Sequence, residues 1–291
     1  MKINKLSFIT PKEKIADKKI ILEKSYELHY KLQNDISLSF ASKIGNRDTQ
    51  QDCIAISSNG KYTLLLVSDG IGGMQEGEKA SYTTAKIIKK WFETENKETL
   101  KKLNERTLED ILNALIYLIS TNIPKLSGST INMSIICPDK TLIANIGDSR
   151  TYTIKNGKIT LRTKDDSLVF KKYNPQSAKD RNILRFHKDN NILTNSITKD
   201  AFPKITITSI ENEDYDILCH VTDGVTDFLP EHLICSYSKL SNPANILVRK
   251  STKGIPIHSY DTDSDLKKCI YPGEDNATAI VYTKKLTKNN Q

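Results

Sequence analysis

The chain has 291 residues, 37% of them hydrophobic, enough to bury one substantial core, and 43 basic against 35 acidic residues leave a net charge of +8. The excess is lysine scattered along the sequence without a basic cluster interleaved with aromatics, which argues for a solvated surface and against nucleic acid as a partner. No stretch approaches a membrane span, the best candidate from Ile111 to Ile119 being interrupted by Asn113, and the first ten residues lack an apolar core of secretory length.

Residues 1–36 carry no motif, and the sequence does not choose between an added edge element and an interaction arm for them. Ser37 to Ala41 and Cys53 to Ile56 read as strands flanking a polar stretch, Gly45-Asn46-Arg47-Asp48-Thr49-Gln50-Gln51-Asp52. A buried strand, Leu64 to Val67, then runs into Asp69-Gly70-Ile71-Gly72-Gly73. Ala80, Thr84, Ile87, Ile88, Trp91 and Phe92 recur at helical spacing and predict a core helix. Thr107-Leu108-Glu109-Asp110 opens a second helix with a capping-type signature, and Leu108, Ile111, Leu112, Leu115, Ile116 and Ile119 form its apolar stripe. Strands follow at Asn132 to Cys137, Leu142 to Ile146, Arg150 to Ile154 and Lys158 to Leu161, with Asn156-Gly157 turning the last pair into a hairpin. Residues 165–195 are polar and basic and read as a solvated loop, or as a segment that grips substrate. Tyr215 to Cys219 and Ala277 to Tyr282 complete the strands. Strands and helix pairs without strict alternation predict an α+β fold.

Three carboxylates stand at the ends of strand-like runs: Asp69, Asp223 within Thr222-Asp223-Gly224, and Asp275 within Glu274-Asp275-Asn276. Taken singly, each is explained by the backbone needs of a turn. Taken together they converge only if their strands are neighbours in one sandwich, and oxygen donors of this kind suit Mg²⁺ or Mn²⁺. Nothing offers the His and Cys set of a zinc site. Five cysteines, Cys53, Cys137, Cys219, Cys235 and Cys269, form no Cys-x-x-Cys pair and read as free thiols in a reducing compartment.

The same turns fall inside five stretches that resemble, in order, the metal-dependent serine/threonine protein phosphatases of the protein phosphatase 2C type in their bacterial form. These are Gly45 to Asp52, with an Arg four and five positions before an amide and an Asp; Val67 to Gly73, continuing through Gly77 to Ser81; Ala144-Asn145-Ile146-Gly147-Asp148-Ser149-Arg150; Thr222 to Asp227; and Glu274 to Thr278. The resemblance implies two antiparallel β-sheets packed as a sandwich flanked by antiparallel helix pairs, with a phosphatase domain over 37–285, a flap at about 165–195 and a polar tail at 286–291. It implies hydrolysis of phosphoserine and phosphothreonine by a hydroxide on two Mn²⁺ or Mg²⁺ ions, with no phosphoenzyme. Asp69 would bridge the ions, the Gly70 carbonyl would bind one, and Asp223 and Asp275 the other. Arg47 would hold the phosphate, which its planar fork suits. Asp52 and Gln51 would act on metal-bound water, and Asp148, Asp223 and Asp227 would hold a third, weaker ion. Gln51 stands where animal members place a metal-binding Glu, and Ile71 where they carry a His that protonates the leaving oxygen.

The expected partner is a phosphorylated protein, a kinase substrate or a host protein, with no nucleic acid and no membrane. The expected location is cytoplasmic, with translocation as a bacterial effector as an alternative. Two rival functions remain: a phosphodiester hydrolase that removes a nucleotidyl or phosphocholine group from a protein, and a catalytically silent phosphoprotein-binding module. Retention of Asp69, Asp223 and Asp275 favours catalysis. Asp261-Thr262-Asp263-Ser264-Asp265 imitates a calcium loop but has Leu266 and Pro272 where Gly and Glu are needed.

Overall fold

A computed structural model of the chain describes residues 6–10, 13–16, 19–22, 25–31, 36–71, 76–199, 201–258, 265–267 and 269–284. Gly72 and Gly73, residues 259–264 and the tail at 286–291 lie outside the described residues. Four strands open it: β1 (Leu6–Thr10), β2 (Glu13–Ala16), β3 (Lys19–Leu22) and β4 (Ser25–Lys31). Then come β5 (Ser37–Lys43), β6 (Asp52–Ser58) and β7 (Thr63–Asp69), and the helices α1 (Gly77–Thr94), α2 (Lys97–Lys101) and α3 (Glu105–Asn122). β8 (Gly128–Ser129), β9 (Ile131–Ile136), β10 (Lys140–Ile146), β11 (Arg150–Lys155) and β12 (Lys158–Leu161) lead into α4 (Leu168–Tyr173) and α5 (Ala178–Leu184). The rest is β13 (Ile197–Thr198), β14 (Thr206–Glu211), β15 (Ile217–Val221), α6 (Asp223–Thr226), α7 (Glu231–Tyr237), α8 (Pro243–Thr252), β16 (Ile257–His258), β17 (Cys269–Ile270) and β18 (Ala277–Thr283).

Twelve strands assemble into two six-stranded sheets, ordered β1-β6-β7-β9-β10-β14 and β12-β11-β15-β18-β5-β4, and the others pair as β2-β3, β8-β13 and β16-β17, antiparallel at every pairing. The continuous apolar run in β7 follows from burial on both faces. Leu65 and Val67 meet Phe40, Ile54, Ile280 and Leu218 between the sheets, while Leu64 and Leu66 face the other way, into the core shared with α1 and α3. On the second sheet, Ala279 and Val281 face out against Leu247 and Val248 of α8. The result is a helix–sheet–sheet–helix stack, the α+β sandwich with flanking helices that the family resemblance implied.

Because side chains alternate along a strand, Asp69 shares the inter-sheet face of Val67, and Asp52, its register partner on β6, shares that of Ile54. Two carboxylates therefore enter the gap between the sheets at one end. No helix among the described residues is long and apolar enough to cross a membrane.

Two local expectations change, and one left open is decided. α3 starts earlier than Thr107: Asn104 is the cap, its side chain accepting from the Thr107 N–H at 3.0 Å, while Thr107 Oγ1 accepts from the Asn104 N–H at 2.9 Å as the third helical residue. Residues 165–195 are not a bare loop but carry α4 and α5, each capped by a serine, Ser167 and Ser177. The first strands prove to be edge elements, β1 on β6 and β4 on β5, with β2 and β3 paired between them. The Asn156-Gly157 hairpin is present, with positive φ at both residues as a tight β-turn of that type requires.

Candidate active site

Asp69 is fixed by its backbone. Its N–H donates to Thr130 Oγ1 at 2.9 Å, and its carbonyl accepts from the Thr130 N–H at 2.8 Å. Gly70 follows with its N–H on the Gln51 carbonyl at 3.0 Å, and a Cβ there would lie 2.2 Å from the Gly77 carbonyl oxygen. Only glycine fits between β7 and the start of α1, and its carbonyl stays free of side-chain crowding. Asp223 opens α6 directly after Thr222, which extends the β15–β18 ladder by accepting from the Thr278 N–H through Oγ1 at 3.0 Å. At Gly224 a Cβ would lie 2.0 Å from the Asn276 carbonyl, so this helix start is pressed onto the segment that carries Asp275.

Arg47 reaches the same place from the loop before β6. Its Nη2 lies 2.8 Å from Asp275 Oδ2, and its Nε donates to the Glu274 carbonyl at 3.1 Å. Asn276 ties that loop down: its amide donates to the carbonyls of Ile44 and Thr49 at 2.8 and 3.1 Å, and its oxygen accepts from the Gln51 N–H at 2.7 Å. Asp52 is buried behind Asp69 and accepts from Thr222 Oγ1 at 3.0 Å. Gln51 contributes backbone to the site, its carbonyl accepting from Gly70 and from Ser81 Oγ.

Arg47, Asp69, Asp148, Asp223 and Asp275 line one cavity, with Ile71 and with Asn191 and Leu193 of the 165–195 segment. An adjoining hollow shares Asp148 and Asp223 and adds Asp227, Arg150, Arg185 and Asn190. Asp148 stands in the β10–β11 turn, where Gly147 adopts φ 102° and donates its N–H to Asp166 Oδ2 at 3.0 Å. Thus the residues expected from sequence gather at one end of the sandwich: Asp69, Asp223, Asp275, Arg47 and Asp148 in the cavity, Asp227 beside it, and Asp52 behind it.

Packing so many carboxylates together raises their affinity for protons. Burial pushes Asp69 and Asp223 well above the usual carboxylate range, reinforced by Asp52 and Asp275 respectively. Burial, with repulsion from Asp165 and Asp227, pushes Asp148 up to about 8, and burial pushes Asp52 up to about 7. Asp275 is raised less freely, because the Arg47 guanidinium opposes its burial. A cation relieves this strain, and the donors fit a hard one: all are oxygen, Gly70 presents a carbonyl, and Asp223 Oδ1 is buried without a hydrogen-bond partner. As placed, no group of three or more His, Cys, Asp or Glu side chains among the described residues closes around a single ion; the carboxylates ring the cavity, with Asp275 turned to Arg47.

Sequence reasoning missed the scaffold behind these groups. Arg150 pairs with Asp165, Nη2 to Oδ2 at 2.7 Å, and stacks its guanidinium 5.0 Å from the centre of the Phe170 ring. Asn132 donates to the Ser149 carbonyl at 2.9 Å and Asn145 to the Gly147 carbonyl at 3.0 Å, holding the Asp148 turn from inside the sandwich. Arg150 and Asn145 belong to a quoted motif, so a signal existed; Asn132 carried none.

The protein phosphatase 2C family model matches residues 41–247, most of the chain. The chain belongs to the protein phosphatase 2C family. It is 25% identical over 238 residues to the serine/threonine phosphatase stp of Listeria monocytogenes, covering 78% of this chain and 87% of that one. It is 28% identical over 229 residues to a putative protein phosphatase of Mycoplasma genitalium, covering 73% and 86% respectively. Among solved structures, serine/threonine phosphatase Stp1 of Staphylococcus aureus superposes with a TM-score of 0.69 at 23% identity, over 85% of this chain and 94% of that one. The catalytic domain of the phosphatase PstP, solved in complex with two manganese ions, gives 0.62 at 19% identity, over 85% and 98%. The protein is a serine/threonine protein phosphatase, an enzyme of the hydrolase class.

Proposed function

We propose that this phosphatase binds two Mn²⁺ or Mg²⁺ ions between its sheets, which the Asp69, Asp223 and Asp275 carboxylates and the Gly70 carbonyl would hold. The observation that carries this reading is the convergence of Asp69, Asp223, Asp275 and Arg47 on one cavity from segments as far apart in sequence as 47 and 275. Ions bound by these residues would supply an acidified water as the nucleophile for phosphoester hydrolysis without a phosphoenzyme.

The chain's own groups do the rest. Arg47 grips the phosphate oxygens of a phosphoserine or phosphothreonine side chain, its fork exchanging Asp275 for substrate. Asp52, buried next to Asp69 and tethered to Thr222, would order water bound to the ions. Gln51 offers no charge and leaves its ion more hydrated. Asn191 and Leu193 of the 165–195 segment line the same cavity as Arg47, and this segment would meet the protein substrate there. Asp148, Asp223 and Asp227 hold a third, weaker ion.

Turnover of a phosphothreonine peptide and of p-nitrophenyl phosphate, measured with Mn²⁺, with Mg²⁺ and with EDTA, tests the reading. Both activities require the added cation. Full turnover in chelator, or a labelled phosphoenzyme trapped in acid, overturns it. Release of nucleotide from a nucleotidylated protein, without phosphopeptide hydrolysis, would move the substrate class to phosphodiesters.

A further inference from the structure

Asp227 differs from Asp69 and Asp223 in having a built-in path to a cation. Its Oδ2 accepts from Asn190 Nδ2 at 2.7 Å, and Asn190 Oδ1 accepts from Lys267 Nζ at 3.2 Å. The amide is thereby oriented with its oxygen on the ammonium and its N–H on the carboxylate, so each bond polarises the next. Two arginines face the same hollow and act on Asp227 through space, Arg150 while hydrogen-bonded to Asp165 and Arg185 while donating to the Phe228 carbonyl, whereas Lys267 reaches it through a hydrogen-bond chain. Lys267 is also fixed by its backbone: its N–H donates to the Phe186 carbonyl at 2.6 Å, Leu266 bridges His187, and the Lys188 N–H donates to the Asp265 carbonyl at 2.9 Å. The segment bearing Lys267 is thus stitched to the one bearing Asn190.

We propose that Lys267, acting through Asn190, is an internal counter-cation for Asp227 that competes with the third divalent ion and sets its affinity. The inference rests on the two-ion reading above and concerns only the weaker, third position. An ion that takes Asp227 Oδ2 displaces the Asn190 N–H from it, so filling that position also loosens the 186–190 segment from α6. Lys267 and Asn190 are positioning residues: neither lines the cavity that receives the phosphate.

Calorimetric titration of the full chain with Mn²⁺ tests this in wild type, Lys267→Met, Lys267→Arg and Asn190→Ala, with hydrogen exchange of residues 186–190 as a second readout. Two tight ions bind alike in all four proteins. The weakest ion binds on the order of tenfold tighter in Lys267→Met, where the stem is kept and the charge removed, and as in wild type in Lys267→Arg. It also tightens in Asn190→Ala, and in wild type exchange at 186–190 quickens over the Mn²⁺ range that fills it. An unchanged or weaker third affinity in Lys267→Met overturns the proposal, as does a parallel shift of all three ions or the lack of any third ion in every variant. Absence of the two tight ions from wild type would overturn the two-ion reading itself, a result distinct from any of these.

Discussion

Asp69 is the residue through which the proposed chemistry passes, and its surroundings leave little room for compensation. Its backbone is held by Thr130 on both sides, and Asp52 stands beside it in register. Asp69→Asn keeps the shape and removes the charge shared by two ions; kcat for p-nitrophenyl phosphate should fall about 10³-fold, an effect of about 4 kcal/mol. Arg47→Ala acts elsewhere. It removes charged hydrogen bonds to phosphate, and kcat/KM should drop by the equivalent of about 1.5–3 kcal/mol while the two tight Mn²⁺ ions still bind. Steady-state kinetics beside calorimetry separates the two variants. A silent Arg47→Ala would remove the phosphate grip and leave the metal ligands standing.

At the scale of elements, Gly70 shows how closely β7 and α1 approach. In Gly70→Ala the new Cβ must clear the Gly77 carbonyl, 2.2 Å away, and the Gln51 carbonyl, 2.9 Å away, so the strand end and the helix start are forced apart. A lower melting temperature together with weaker Mn²⁺ binding is expected; unchanged binding would mean that the Gly70 carbonyl is no ligand. The acidic ends of these elements also set a pH dependence. Asp148 and Asp52 keep a proton up to about 8 and about 7 when folded, above their unfolded values, so across that interval the folded state binds more protons than the unfolded one. Stability of the chelated protein therefore falls as pH rises from about 4 to about 8, the reverse of an ion-paired carboxylate. Melting in EDTA should be higher near pH 5.5 than near pH 8, and Mn²⁺, which binds the deprotonated carboxylates, should reverse that order. A chelated protein that gains stability with pH would contradict the burial assigned to these groups.

The elements also show why some of this was legible in the sequence. β6, β7, α1 and α3 were readable because burial on one or two faces imposes apolar runs or a helical stripe over several turns. The carboxylates were readable because each ends or precedes such a run. Helices of four to seven residues such as α2, α4, α5, α6 and α7 are too short for periodicity to declare them. Asn276 and Asn132 act through hydrogen bonds to backbone far along the chain, and Lys267 through an amide 77 residues away, relations that no local pattern encodes.

Over the whole molecule, the first strands complete both sheets. β1 pairs with β6 from Leu6↔Ser58 to Thr10↔Ile54, and β4 pairs with β5 from Ser25↔Lys43 to Lys31↔Ser37. Removing residues 1–31 would turn β6 and β5, both buried along most of their length, into open edges with unpaired N–H and C=O groups. None of the proposed ligands or the phosphate grip lies in that segment, so the site's geometry rests on strands that remain. The truncated chain should therefore lose stability without losing chemistry: a cost of about 3 kcal/mol corresponds to a melting point lower by roughly 6–12 °C at this size. Exposed edges should also make it associate as concentration rises, visible in light scattering. Turnover of p-nitrophenyl phosphate, measured well below the melting point, should keep its wild-type kcat. Unchanged melting would show that the two pairings contribute nothing to stability. A folded truncation with a collapsed kcat would instead make the amino-terminal strands part of the catalytic apparatus, through an effect on the ends of β6 and β5 that carry Asp52 and lead to Arg47.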